Sequence, residues 1–116
     1  MNLPQKLTDI LFLDIETVPQ AENWTALSKE TQVLFEQKTQ YQRKDQISVE
    51  DFYERAGIWA EFGKIICISV GYFVEVNTRK QLRITSFFGD DEHKVLKDFK
   101  ELLDKHFTKK NTILCA

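Results

Sequence analysis

The run LFLDIETVP, residues 11–19, constrains the fold more than any other stretch of the chain. Residues 9–16 read as a first strand that is apolar on both faces. Ile10 and Phe12 share a side with Asp14 and Glu16, while Leu11, Leu13 and Ile15 point the other way. Such a strand is expected in the middle of a sheet covered on both sides, which makes this an α/β protein. Its end carries two carboxylates on one face, with Cβ atoms roughly 6–7 Å apart by the strand rise. Like charges that close raise each other's pKa unless a cation or a donor compensates. Hard Mg²⁺ or Mn²⁺ suits carboxylate oxygens and keeps positions open for water and phosphate. Two such ions about 3.5–4 Å apart can activate a water and stabilise a leaving oxygen in phosphoryl chemistry. An isolated Asp-x-Glu is better explained by a turn-capping Asp and a Glu solvated at the strand end, so the metal reading depends on context.

The rest of the chain supplies the context. With 116 residues, 42% of them hydrophobic and nine of them Phe, it can bury one core of ordinary size, so residues 1–116 are expected to form a single domain. The net charge of −2 gives no overall attraction to nucleic acid or anionic lipid, so any phosphate binding must come from local groups or metal. Cys67 and Cys115 belong to no Cys-x-x-Cys pair and read as apolar packing in a reducing compartment. The opening MNLPQKLTD has no basic stretch followed by a long apolar one, and no segment approaches the roughly 18 apolar residues of a membrane span. The expected setting is cytoplasmic, with no membrane partner.

Residues 20–62 are polar and helix-prone, with Ser28 and Ser48 placed as N-caps before KETQVLFEQKTQYQR and VEDFYERAGIWAEF. Phe52, Ala56 and Trp59 fall at helical spacing, which predicts a helical insertion packing one stripe on the sheet. GKIICISVGYFVEV and QLRITSFFG, joined by NTRK, predict a long antiparallel hairpin. A helix begins at about Asp91 with Val95, Leu96, Phe99, Leu102, Leu103 and Phe107 as its apolar face, and TILCA forms a last strand.

In this order, FLDIETVP, a helical insertion, EFGKIICISVGYF, a third strand, the GDDEHKVLKDF helix and a fourth strand resemble the DEDD-superfamily 3′–5′ exonucleases. The branch in question is similar to the exonuclease domain of family-B DNA polymerases. The resemblance implies an RNase H-like mixed sheet, with the antiparallel hairpin among strands one to three. It also implies two divalent ions, Mg²⁺ or Mn²⁺, and release of nucleoside monophosphates from a nucleic acid 3′ end, DNA ahead of RNA. Carried over by position, Asp14 and Glu16 are catalytic metal ligands, and Thr17 and Val18 lie near the terminal nucleotide; Trp24 is a candidate to line the substrate groove only because it follows the motif closely. The family's second motif, Asn and Asp after the fourth strand, and its third, Tyr with an Asp four residues on, have no counterpart here. The chain is accordingly expected to be the truncated N-terminal portion of an exonuclease domain. It would be inactive alone and would self-associate through its uncovered C-terminal strand.

The other polar residues have ordinary readings. His93 and His106 suit solvated or dipole-stabilised positions at the ends of the last helix. Trp24 and Trp59 suit packing, and Arg43, Lys44, Arg79, Lys80 and Arg83 suit solvated surface. Two rival classes remain. A haloacid-dehalogenase-like phosphatase also ends its first strand in acids, but its parallel sheet conflicts with the hairpin. A non-catalytic binding or assembly module is the other.

Overall fold

A computed structural model describes residues 6–44 and 46–116. Residues 1–5, where a leader was sought, and Asp45, within the insertion, lie outside the described residues. Among the described residues four strands, β1 (Ile10–Pro19), β2 (Gly63–Val76), β3 (Arg79–Phe88) and β4 (Ile113–Cys115), form an α/β arrangement with three α-helices, α1 (Lys29–Arg43), α2 (Val49–Phe52) and α3 (Glu92–His106). The chain divides into two compact units: the part up to Glu16 together with Ile65–Ala116, and Thr17–Lys64.

In the first unit the sheet is mixed, with strand order β3-β2-β1-β4. β2 and β3 pair antiparallel from Cys67 opposite Phe88 to Val76 opposite Arg79. β4 runs parallel to β1, with Ile10 opposite Ile113 and Phe12 opposite Cys115. The turn is tighter than the NTRK expected. Val76 pairs directly with Arg79, so Asn77 and Thr78 alone make the reversal at φ 50° and 66°. Positive φ at both central residues matches the strand twist, as in the turns that close two-residue hairpins. Arg79 and Lys80 therefore belong to β3.

Alternation decides which face of this sheet is buried. Leu11, Ile68, Val70 and Tyr72 pack with Val95 of α3, and Leu13, Phe87, Phe99, Leu102, Leu103 and Phe107 surround them. Asp91 starts α3 by accepting a hydrogen bond from Lys94 N–H at 3.2 Å. At the adjacent residue, Glu92 Oε2 accepts from Ile65 N–H at 2.6 Å, fixing the helix to the start of β2. Leu96, expected on the apolar face, is 41% exposed and lies outside that core. Within this unit the opposite sheet face is uncovered, against the expectation of cover on both sides. Phe12 is 37% exposed and Ile84 of β3 73% exposed.

The second unit has its own aromatic core around fully buried Phe35, with Phe52, Tyr53, Ala56 and Phe62 buried beside it. Ser28 caps α1 by accepting from Thr31 N–H, and Ser48 caps α2 by accepting from Asp51 N–H. Residues Tyr53–Ile58 then tighten into a 3₁₀ helix, where a continuous α-helix was expected. Phe52, Ala56 and Trp59 do form an apolar stripe, and within this unit it packs on Phe35. Tyr53 Oη fastens the chain after β1 by donating to Ala21 C=O at 3.0 Å and accepting from Ala21 N–H at 2.9 Å.

Candidate functional site

Strand alternation puts Phe12, Asp14 and Glu16 on the uncovered side of β1, because Leu11 and Leu13 are committed to the core with α3. Phe12 and Asp14 line a trough of about 350 Å³ together with Ser69, Gly71, Ile84 and Cys115. Gly71 lacks a side chain at the point where Leu82 and Ile84 approach, and this leaves the floor low. The trough is otherwise apolar apart from Asp14 and Ser69. Ser69 Oγ lies 2.8 Å from Ser86 Oγ across the hairpin and 3.7 Å from Cys67 Sγ, so a short polar ladder crosses the same face.

Both carboxylates are exposed, and among the described residues neither is engaged by a hydrogen bond or an ion pair. Glu16 lies one alternation beyond Asp14 and outside the trough lining. Two exposed carboxylate side chains offer the hard oxygen donors that Mg²⁺ or Mn²⁺ takes, with water left to fill most of the coordination shell. Among the described residues no group of three or more His, Cys, Asp or Glu side chains gathers around one point. The donor chemistry fits a divalent ion, and the donor number fits a weakly held one.

The remaining candidate residues belong to the second unit. Thr17 Oγ1 donates to Gly57 C=O at 2.7 Å. A Cβ at Gly57 would lie 3.1 Å from the Val18 carbonyl carbon, so the end of β1 and the 3₁₀ helix are in close contact there. Trp24 is half-buried in the aromatic core, with ring centroids 5.8 Å from Phe35 and 6.0 Å from Tyr53. Its packing role matches the ordinary reading of that side chain. Arg43 is likewise occupied, donating from Nε to the buried Thr39 Oγ1 at 3.2 Å. His93 and His106 are exposed, and the His106 ring stacks on Tyr72 at 5.8 Å.

Ser69, Gly71 and Ile84 were not singled out from the sequence. Only the even spacing of Ser69 and Gly71 in ISVG, read against the hairpin register, could have put them on the carboxylate face. Among the described residues no helix is long and apolar enough to cross a membrane. Comparisons with protein-family models, with curated proteins and with solved structures give no match for this chain.

Proposed function

We propose that the chain carries the first metal-binding motif of a 3′–5′ exonuclease with an RNase H-like sheet, acting on nucleic acid 3′ ends and on DNA in preference to RNA. The observation that carries this reading is the position of Asp14. It is a carboxylate without a partner among the described residues, at the rim of a trough on the side of β1 away from α3, with Glu16 following on the same side. The strand order β3-β2-β1-β4, with β2 and β3 antiparallel and β4 parallel to β1, supports it as the order an RNase H-like protein would have. The antiparallel hairpin equally disfavours the haloacid-dehalogenase-like alternative.

On this reading Asp14 and Glu16 are inner ligands for Mg²⁺ or Mn²⁺. A bound divalent ion supplies charge stabilisation at the phosphodiester and a water of lowered pKa. Asp14 and Glu16 would fix the ion's position along the strand. Phe12, Gly71 and Ile84 would exclude water from one side of the substrate. Two carboxylates hold a cation weakly, and this chain alone is expected to show no exonuclease turnover.

The test is Mn²⁺ titration followed by paramagnetic broadening of backbone resonances. Broadening centred on residues 12–16 and lost in Asp14→Ala is the expected result. Uniform broadening, or none at these residues, would sink the reading.

A second reading, a non-catalytic assembly module, is favoured by a different observation. Ile84, Leu82 and Phe88 on β3 and Ile113 and Leu114 on β4 are all substantially exposed, and β4 is an edge strand. Exposed apolar residues around a free strand edge are features of a surface that pairs with another chain.

A further inference from the structure

The second unit contains a cleft of about 510 Å³ that neither reading uses. One wall is a face of α1, where Leu34, Gln37 and Lys38 stand at i, i+3 and i+4. The other is formed by Gln20, Glu61 and Phe62. Its floor is fixed, because Gln20 N–H donates to Phe62 C=O at 2.8 Å. Lys38 Nζ donates to Glu61 Oε1 within the lining, so that two opposite charges satisfy each other there.

These features limit what the cleft can hold. With its cation and its anion paired, it has no surplus charge to recognise a phosphate or a carboxylate. Its apolar contacts come from Leu34, itself 58% exposed, and from Phe62. Its free polar groups are the carboxamides of Gln20 and Gln37, which have no intramolecular side-chain partner among the described residues. A carboxamide offers a donor and an acceptor side by side. The complementary ligand is neutral and flat, with donors and acceptors along one edge and apolar faces. The volume falls within the range of small-molecule sites, about 300–1,000 Å³.

We infer that this cleft binds an unpaired nucleobase. The inference rests on the exonuclease reading for the source of that base, an unpaired nucleotide near a DNA 3′ end, where bases are free to leave the stack. Recognition would run through the base edge to Gln20 and Gln37, with Leu34 against its face and the small exposed edge of Phe62 at the floor. A carboxamide also pairs with the adenine edge in the bidentate mode known from base readout, so adenine is the natural probe.

The experiment is a metal-free NMR titration of the chain with deoxyadenosine monophosphate, and with deoxyribose 5-phosphate as the baseless control. The nucleotide is expected to shift the side-chain amide resonances of Gln20 and Gln37 and the backbone of Leu34, and the sugar phosphate to leave them in place. Gln37→Ala should weaken binding about fivefold by removing one hydrogen-bonding edge. Leu34→Glu should weaken it by at least as much, and Asp14→Ala should leave it unchanged. Equal shifts from the sugar phosphate, or no shifts from the nucleotide, would overturn the inference. So would shifts confined to the Asp14 face of the sheet, although the exonuclease reading would then survive. Failure of the Mn²⁺ test, by contrast, would remove that reading and leave the nucleotide-binding result standing.

Discussion

Phe35→Ala should dismantle one half of this molecule and spare the other. Phe35 is fully buried, and five aromatic rings surround it, with centroids from 5.1 Å for Phe62 to 6.4 Å for Phe52. Truncating a buried Phe to Ala costs about 3–5 kcal/mol, and the upper end applies where edge-to-face ring contacts are lost as well. At about 0.05–0.15 kcal/mol per residue, a unit the length of residues 17–64 holds roughly 2–7 kcal/mol, so the substitution removes most of it. Both tryptophans, Trp24 and Trp59, lie in this unit and pack on Phe35, so their fluorescence reports on it alone. In the variant their emission should already be red-shifted without denaturant, while amides of the β2–β3 ladder remain slow to exchange. Phe35→Leu, which keeps most of the volume, should cost only about 1 kcal/mol. A native emission spectrum in Phe35→Ala, or loss of protection in β2 and β3 at the same time, would refute the argument that this core is a separate source of stability.

Three further outcomes are expected. Thr78→Gly should stabilise the hairpin by about 0.5–1 kcal/mol, since a β-branched residue at φ 66° costs about 1–2 kcal/mol and glycine returns part of that as chain entropy; thermal unfolding that is unchanged or lower would contradict it. Light scattering should report a dimer or larger species, with Ile84→Lys or Leu114→Pro shifting it toward monomer; a wild-type monomer with slow exchange at residues 113–115 would remove the case for self-pairing. The hydrogen bond from Lys38 holds the Glu61 carboxyl below the ordinary glutamate range, so this pair favours the fold above the unfolded-state pKa and loses its effect as pH falls through the lower folded value; NMR titration should find Glu61 back in the ordinary range in Lys38→Ala, and an unmoved titration point would mean that the pair does not form.

Much of the first unit could be read from the chain because its signals are local. The two extended runs joined by NTRK gave β2 and β3, and the Asp91 start signal and a 3.6-residue stripe gave α3 to within a residue. The α1 limits follow from Ser28 and the polar spacing after it. The uncovered sheet face was misjudged for a physical reason. Phe12 and Ile10 make that side of β1 apolar, but apolar composition identifies what would benefit from cover and not whether cover is present. The same limit applies to Phe52, Ala56 and Trp59. Their spacing marked a stripe correctly, yet nothing in a periodicity says whether it meets a sheet or another aromatic residue such as Phe35. At the site, Asp14 and Glu16 were visible because charges interrupt an apolar run. Ser69, Gly71 and Ile84 were hidden, because only pairing across strands distant in sequence brings them beside Asp14. The cleft residues Gln20, Gln37 and Glu61 gave no signal at all, being ordinary surface polar residues until the fold puts them around one space.

Asn111 Nδ2 donates to the buried Asp9 Oδ2 at 2.8 Å, joining residues 102 positions apart beside the three-residue pairing of β4 with β1. During synthesis, β1 leaves the ribosome that many residues before its clasp. At about 5–20 residues per second the delay is roughly 5–20 s. The β2–β3 hairpin can close within that interval, because its strands are separated only by Asn77 and Thr78. β1 can therefore gain its β2 neighbour while its other side waits, which leaves the nascent chain open along β1 itself to capture by a chaperone or by a neighbouring nascent strand.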